Sequence, residues 1–335
     1  MKDTGKICKA VGLLSGGLDS AIAAKLLLDQ GIEVHAVHVS MPWGCGDPGR
    51  VRRLAEKLHI PMKIIPLADD YLAVLQHPKY GFGSAHNPCI DCHIYMVKKA
   101  AAYMQEIGAS FVFTGEVLGQ RPMSQRRQCL GWVEDDALVP GRLLRPLCAK
   151  LLAPTIPEQE GLVDRERLLD ISGRSRKVQY RLVKELGIEG FSAPGGGCLL
   201  TEKLFGARLK DVLARGCPDI ASTAVLGLGR YFRLDAGAFV LLGRDAHENE
   251  ELLKRAMPTD ILLRPAAFPG PVALVRGGDI HDNRLTLAAG LAQFYSKSRE
   301  AGPLPLACWR ADAPADVREI MSVRVHEADV KRMLL

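Results

Sequence analysis

Apolar runs alternate with amphipathic helical patterns along the first two thirds of the chain. An apolar run at residues 10–14 precedes a helical pattern at 21–28, and an alternating, β-branched run at 32–39 precedes a second helical pattern at 50–58. A third strand pattern follows at 62–67. Strands that alternate with helices of this length are typical of an α/β fold, a parallel sheet with helices on both faces. In such sheets, ligands bind beyond the carboxyl ends of the strands.

The pattern changes near residue 216. Three further helices are predicted before that point, at residues 93–108, 174–186 and 202–214. The segment Gly216-Cys217-Pro218-Asp219 ends the last of them. Beyond it, short strand patterns and two helices predominate, with strands at 231–234, 238–244, 262–265 and 272–277. We therefore predict two domains, an α/β domain at residues 1–216 and a smaller α+β domain at 222–335.

Composition limits the class of protein. The 335 residues are 47% hydrophobic, which is enough for the cores of two domains. No apolar run reaches the length needed to span a bilayer, and the first eight residues lack the apolar core of a secretory signal. We expect a cytoplasmic protein without membrane contact, whose nine cysteines are ligands, nucleophiles or core residues rather than disulfides. The net charge of +6 permits a polyanionic partner but does not require one.

The segment Ser15-Gly16-Gly17-Leu18-Asp19-Ser20 lies between the first strand and the first helix. Backbone amides in such a turn bind anions together with the N-terminus of the following helix. The two glycines allow a sharp turn close to a phosphate, and the two serine hydroxyls can donate to phosphate oxygens. Asp19 or Ser20 is expected to cap the helix. The loop lacks the Gly-Lys-Ser/Thr ending of a Walker A motif, and by itself it also fits an ordinary glycine-rich turn.

Two cysteines lie at the predicted N-terminus of the helix at 93–108. Cys89 and Cys92 form a Cys-x-x-Cys pair, and the helix dipole at this position is expected to lower the thiol pKa and favour thiolate. In a reducing compartment such a pair is usually a metal, iron–sulfur or redox site. With His93 it also matches the haem-attachment pattern, which we reject for a cytoplasmic protein. Zinc stays open, because histidines or a distant cysteine could complete four ligands.

A third cysteine, Cys198, follows three glycines. Alone it would be interpreted as a buried loop cysteine. Because it follows a Cys-x-x-Cys nucleotide domain, we instead expect Cys89, Cys92 and Cys198 to meet. Three thiolates leave one iron of a [4Fe–4S] cluster without a protein ligand, and that iron can hold sulfide. A persulfide on Cys198 is the alternative.

The loop at 15–20 resembles the S-G-G-x-D-S pyrophosphate loop (PP-loop) of the ATP pyrophosphatases, which split ATP between its α and β phosphates and place AMP on a substrate oxygen. The segment Thr114-Gly115-Glu116-x-Leu-Gly-Gln, the nearby Ser-Gln pair and Arg145-Pro146-Leu147 resemble the nucleotide domain of tRNA 4-thiouridine synthases. The three cysteines resemble the cluster ligands of the cysteine-rich tRNA thiolation enzymes, including the 2-thiouridine branch. The resemblance covers roughly the first two hundred residues.

This resemblance implies the use of ATP with Mg²⁺ and a set of site residues. It implies catalytic roles for Cys198, Cys89, Cys92 and Asp19, the last of these with Mg²⁺ or in loop geometry. It implies nucleotide contacts from the loop and from the ends of two strands, namely Ser15, Gly16, Gly17, Asp19, Ser20, His38, Val39, Thr114, Gly115 and Glu116. The alternation of the strand at 32–39 by itself favours a packing role for His38.

The second half resembles the RNA-binding module NFACT-R in Gly229-Arg230-Tyr231-Phe232, Leu242-Gly243-Arg244-Asp245 and Phe268-Pro269-Gly270-Pro271. In 4-thiouridine synthases a tRNA-binding domain precedes the loop, and we do not expect that domain here. The NFACT-R-like module would replace it. We also do not expect a rhodanese-type sulfur-donating domain. A dimerisation or structural role is the alternative. Basic residues within 165–184 form a solvated helix face or contact tRNA phosphates.

We therefore expect an ATP-dependent tRNA sulfurtransferase that adenylates a uridine carbonyl and replaces its oxygen with sulfur. Its expected partners are tRNA and a sulfur donor, either a cysteine desulfurase or free sulfide, and a homodimer is compatible with the sequence. One rival is an enzyme of the same fold that joins nitrogen to the adenylated substrate, for which the three cysteines are dispensable. The other rival is an RNA-binding or sulfur-carrier protein without adenylation.

Overall fold

The chain folds into two compact units, Met1–Cys198 and Leu199–Leu335. The computed structural model describes residues 8–43, 47–191, 198–216, 219–234, 237–277, 282–298, 302–323 and 325–335. The first unit ends before residue 216, where the first domain was predicted to end. The assignment of functions to residues 1–216 and 222–335 stays a prediction.

The first unit is built on a parallel sheet. Its strands are β1 (Lys9–Leu13), β2 (Glu33–Ser40), β3 (Met62–Pro66), β4 (Phe111–Thr114) and β5 (Leu143–Leu144), in the order β3-β2-β1-β4-β5. All four strand pairings are parallel, which confirms the predicted α/β fold. Because β1 has β2 on one side and β4 on the other, its carboxyl end is a topological switch point, where α/β sheets bind ligands.

Helices cover both faces of this sheet. They are α1 (Leu18–Leu28), α2 (Pro48–Lys57), α3 (Leu72–Gln76), α4 (Cys89–Glu106), α5 (Arg127–Asp136), α6 (Ile156–Gln159) and α7 (Lys177–Glu185). Ala10 and Phe113 pack with α1 in one buried cluster, while the alternate residues Val11 and Val112 are buried on the other face, because side chains alternate along a strand. Both α1 and α4 contact β1, β2 and β4, and both therefore border the crevice at the end of β1.

The second unit contains an antiparallel sheet. Its strands are β6 (Arg230–Arg233), β7 (Phe239–Leu242), β8 (Ile261–Pro265), β9 (Ala273–Arg276), β10 (Pro305–Arg310) and β11 (Ala313–Met321), in the order β11-β10-β8-β9-β7-β6. Its helices are α8 (Lys203–Ala214), α9 (Ala246–Lys254), α10 (Asp282–Phe294) and α11 (Glu327–Met333). Leu285, Ala288 and Ala292 of α10 pack on the sheet in one core, which confirms the predicted α+β class. Within the described ranges, none of the helices combines the length and apolar character needed to cross a membrane.

Candidate active site

The segment at 15–20 forms a compact turn between β1 and α1. Gly16 has a φ of +76°, a left-handed conformation that glycine adopts without strain. The Ser20 hydroxyl donates to the carbonyl oxygen of Gly17 at 3.0 Å, and the Gly17 N–H donates to Ser15 Oγ at 3.3 Å. The two serine side chains therefore hold the shape of the loop from within.

The start of α1 differs from the prediction. The expectation that Asp19 or Ser20 caps this helix is wrong, because α1 begins at Leu18 with Gly17 at the N-cap position and no side-chain cap. Asp19 and Ser20 instead lie within the first turn. The amides of that turn are left for an anion, as at other uncapped helix N-termini.

A cavity of about 300 Å³ opens at the carboxyl ends of β1, β2 and β4. Residues from the loop, from both flanking strands and from α4 line it. Among the predicted nucleotide contacts, those that line it are Ser15, Asp19, Ser20, His38, Val39, Thr114, Gly115 and Glu116. Gly16 and Gly17 lie in the adjoining turn. The structure thus brings these residues together, and their contact with a nucleotide stays a prediction.

His38 both packs and faces the cavity. Its Nδ1 donates to the Leu14 carbonyl oxygen at 3.0 Å, and burial lowers its pKa, so the ring is neutral. Its Nε2 is buried and has no hydrogen-bond partner within the described part of the chain. That nitrogen is an acceptor in this tautomer, and a ligand that brings a donor would satisfy it.

Glu116 is the centre of a buried polar network on the cavity wall. Its Oε1 lies 2.7 Å from His93 Nδ1, and its Oε2 accepts from Arg145 Nε at 3.1 Å and from the Thr114 hydroxyl at 3.0 Å. Burial alone would raise the pKa of Glu116, but the charge of Arg145 and the hydrogen bond from His93 hold it at about 2. Glu116 is therefore ionised at neutral pH and fixes the ring of His93.

Segments after β4 lie very close to the loop. A Cβ on Gly115 would lie 2.5 Å from the Ser20 backbone nitrogen, so only glycine fits there. Gln120 Nε2 donates to Asp19 Oδ2 at 2.7 Å, and Gln179 Nε2 of α7 donates to Gln120 Oε1 at 3.0 Å. Asp19 Oδ1 is buried and has no hydrogen-bond partner among the residues described. A buried carboxylate oxygen of this kind is a suitable ligand for a hard cation such as Mg²⁺.

The thiol pair lies in the first turn of α4. The expectation that the helix dipole makes these thiols acidic is wrong, because burial raises the pKa of Cys89 and raises that of Cys92 to about 12. The charge of Cys198 contributes to the rise of both pKa values, so the structure brings the third cysteine within electrostatic range of the pair. Asn87 Nδ2 opposes this by donating to Cys89 Sγ at 3.1 Å.

The thiols and the cavity share neighbours. His93, which follows Cys92 on α4, lines the cavity. Arg121 also lines it, and its charge lowers the pKa of Cys89. The glycines at 195–197, predicted to bring Cys198 to this site, lie outside the described residues. The catalytic and metal-binding roles of the three cysteines stay predictions.

The three cysteines suit a metal group by the chemistry of their thiols, but they do not form a preformed coordination geometry among the described residues. Three cysteines that interact electrostatically, one of them with an N–H···S hydrogen bond, match the chemistry of an iron–sulfur site. Across the ranges the structure describes, no group of three or more His, Cys, Asp or Glu side chains is positioned to hold a metal ion. Burial-raised thiol pKa values mean that a metal would have to replace bound protons.

The sequence interpretation missed several residues of the site. Gln120 and Gln125 were part of the quoted motifs but were given no role, and both are buried at the cavity. His93 was considered only as a zinc or haem ligand, although it precedes the cavity wall residues Met96 and Val97. Gln179 had no signal, because it is one neutral residue within a basic helix.

Two segments match known families. Residues 5–149 match the family model described as Thiamine biosynthesis protein (ThiI), and residues 229–331 match the NFACT protein RNA binding domain. The resemblances inferred from the motifs are therefore confirmed in both halves. The first match ends well before residue 200, so Cys198 and α7 lie beyond it.

The curated relatives match the same N-terminal region. The chain is 32% identical over 130 residues to a tRNA-specific 2-thiouridylase of Dehalococcoides mccartyi, covering 34% of this chain and 35% of the relative. It is 35% identical over 118 residues to a probable tRNA sulfurtransferase of Thermococcus kodakarensis, covering 33% and 30%. The chain thus spans about a third of the length of these relatives.

A solved 4-thiouridine synthetase–RNA complex with bound ATP is 21% identical to this chain at a TM-score of 0.34, covering 54% of this chain and 52% of that one. We therefore assign the fold from the strand order of the chain and not from this likeness. That order, β3-β2-β1-β4-β5 with every pairing parallel, is what defines the α/β unit.

Proposed function

We propose that this protein is an ATP-dependent tRNA sulfurtransferase. In the proposed reaction a uridine carbonyl oxygen attacks the α-phosphorus of ATP and pyrophosphate leaves. The adenylated carbon is then electrophilic, sulfur adds to it, and AMP leaves with the original oxygen. The names of the two relatives of the N-terminal segment, a tRNA-specific 2-thiouridylase and a probable tRNA sulfurtransferase, support this class of activity.

The observation that carries the proposal is that the cavity and the thiols are adjacent. His93 adjoins Cys92 and lines the cavity, while Arg121 lines the cavity and acts on the pKa of Cys89. A reaction that first adenylates and then thiolates one carbon needs both chemistries within reach of a single bound base. The nitrogen-joining rival has no use for this adjacency.

The proposed roles at the nucleotide follow from the loop and its neighbours. The loop amides and the α1 N-terminus bind the pyrophosphate portion of ATP. Asp19 offers its Oδ1 to Mg²⁺, which prefers carboxylate oxygens and phosphates. His38 offers Nε2 as an acceptor, which suits an amino group such as that of adenine.

Cys89, Cys92 and Cys198 are the proposed sulfur-handling residues. They would hold a [4Fe–4S] cluster, which when bound by three thiolates supplies a site for sulfide; zinc is the structural alternative. Without a cluster, the outer sulfur of a persulfide on Cys198 attacks the adenylated carbon. A thiolate of Cys89 or Cys92 then attacks the Cys198 sulfur and releases the thiouridine, and a dithiol reductant reduces the resulting disulfide.

The proposed partners are tRNA and a sulfur donor, either a cysteine desulfurase or free sulfide. The match of residues 229–331 to an RNA-binding domain supports tRNA as the substrate. We place the reaction in the cytoplasm, where thiols stay reduced. A homodimer is compatible with it.

Nucleoside mass spectrometry of tRNA from cells lacking this protein tests the proposal. We expect one thiouridine to disappear, to return with the wild-type gene, and not to return with Cys198→Ala. An unchanged thionucleoside profile contradicts tRNA thiolation. Full activity after all three cysteines are changed to Ala favours the nitrogen-joining rival, and RNA binding without tRNA-dependent pyrophosphate release favours the carrier rival.

A further inference from the structure

Helix α7 has an exposed basic face. Lys177, Arg181 and Lys184 recur at helical spacing and are all exposed. Tyr180 lies in the same stripe with 44% of its surface exposed. Basic side chains interleaved with an accessible aromatic ring suit an RNA backbone with an unpaired base.

The opposite face of α7 reaches the phosphate loop. Gln179 is 0% exposed, and its amide donates to Gln120, which in turn donates to Asp19 Oδ2. Two hydrogen bonds of 3.0 and 2.7 Å thus connect α7 to the carboxylate beside the cavity. One short helix therefore carries both a basic outer surface and a hydrogen-bonded link, through Gln120, to Asp19 in the loop at 15–20.

A second contact between α7 and Asp19 is nearly formed, in addition to the hydrogen bonds through Gln120. Arg176, at the N-cap of α7, has its Nε 4.0 Å from Asp19 Oδ2. That Nε and the Oε1 of Gln179 are buried polar atoms with no hydrogen-bond partner in the described ranges. A movement of roughly 1 Å would give Arg176 a charged hydrogen bond to Asp19. Unpartnered buried atoms favour such a rearrangement.

We propose that Arg176 and Gln179 are positioning residues through which RNA bound on the exposed face of α7 tightens ATP binding. The inference rests on the proposed function, because it takes RNA as the substrate. RNA phosphates on Lys177 and Lys184 shift the first turn of α7 and bring Arg176 onto Asp19. The pair weakens repulsion between that carboxylate and the phosphates of ATP. Because binding free energies are linked reciprocally, ATP tightens RNA binding by the same factor.

The test is calorimetric titration of the full chain with an ATP analogue that has a methylene group between its α and β phosphates, in the presence of Mg²⁺. The RNA is bulk tRNA from cells lacking the protein. For wild type we expect RNA to tighten analogue binding about tenfold, and the analogue to tighten RNA binding equally. Gln179→Leu and Arg176→Gln should each reduce this factor below about twofold. Val178→Ala, on the same helix but outside the link, should keep it.

The outcomes separate the inference from the proposed function. Equal analogue affinity with and without RNA in the wild type overturns the inference, as does a tenfold linkage that survives in either variant. If Gln179→Leu does not fold, Arg176→Gln decides alone, because its partly exposed side chain is not a core residue. Linkage without any thiouridine formation would sustain the inference and overturn the proposed reaction. Absence of RNA binding overturns both.

Discussion

Two neighbouring regions of the first unit hold opposite protonation states. At the cavity wall, Arg145 and His93 overcome the effect of burial and hold the pKa of Glu116 at about 2. In the first turn of α4, burial raises the pKa of Cys92 to about 12, with smaller contributions from the charges of Cys198 and Cys89. Burial acts against the charged form in both regions. The difference is a buried counter-cation, which Glu116 has in Arg145 and for which Cys92 has no counterpart among the residues described.

This contrast separates a charged group that the chain itself neutralises, Glu116, from thiols that need another group before they can react or bind a metal. Glu116 on the cavity wall is already paired with Arg145, His93 and Thr114. The thiols of Cys89 and Cys92 remain protonated at neutral pH, so they become ligands or nucleophiles only when a metal cation displaces the proton or a base removes it. The first region is ready to bind, and the second requires activation.

Removing the counter-cation is expected to give the largest effect. Arg145→Leu leaves the buried Glu116 carboxylate without its arginine partner, which should lower the free energy of unfolding by about 3–5 kcal/mol. Urea unfolding monitored by circular dichroism measures this loss. Lys150→Ala, which breaks the exposed pair with Glu166, is the matched control and should cost less than about 1 kcal/mol. A loss no larger than the control's would mean that Arg145 does not stabilise Glu116.

The second prediction concerns a substitution that removes one of the three thiols and leaves the cavity intact. Cys198→Ala should reduce the rate of thiouridine formation at least about a thousandfold, because it removes one of the proposed sulfur-handling groups. The affinity for the ATP analogue should stay within about twofold, because Cys198 does not line the cavity. Thionucleoside yield and calorimetry measure the two quantities. A parallel fall in both would show that the two regions are not separable.

The third prediction concerns pH. Because the folded pKa of Glu116 is about 2 against an ordinary 4.5, its contribution to stability is complete above pH 4.5 and is lost as the pH falls towards 2. The contribution is about 3 kcal/mol by proton linkage. Unfolding free energies measured between pH 2 and 7 should therefore show a flatter acid limb for Glu116→Gln than for wild type. Identical slopes would contradict an ionised Glu116.

The smallest expected effect is on the reactivity of the Cys89 thiol. Asn87→Ala removes the hydrogen bond that lowers the pKa of Cys89, so less thiolate forms at pH 8. Alkylation of Cys89 by iodoacetamide should slow about threefold. Mass spectrometry of tryptic peptides gives the rate, with Cys8 as an internal reference thiol. Unchanged or faster alkylation of Cys89 would argue against control by Asn87.

The sequence predicted the elements that depend on local pattern. The strand-loop-helix order around residues 15–20, the parallel sheet and the α+β class of the second half follow from periodicity and motif order, and each is confirmed. The protonation state of the thiols could not be predicted in this way. A helix N-terminus favours thiolate, but for Cys92 in the first turn of α4 the penalty for burial exceeds the dipole effect.

Long-range polar contacts were also beyond the sequence. The hydrogen bonds that link Gln179 to Asp19 through Gln120 join residues that are far apart in the sequence, and no spacing rule relates these positions. Arg145 was noted only as part of a resemblance, and its role depends on Glu116 being buried beside it. Burial and pairing of single polar residues come from tertiary packing, which periodicity does not encode.

The central claim is that the nucleotide cavity and the three thiols act on one substrate. The direct measurement is a reconstituted reaction with bulk tRNA, ATP, Mg²⁺ and sulfide, in which pyrophosphate and thiouridine are counted in the same sample. The account predicts one pyrophosphate for each thiouridine in wild type, and no thiouridine with Cys198→Ala although tRNA-dependent pyrophosphate release persists. Thiouridine formed by Cys198→Ala at the wild-type rate would contradict it.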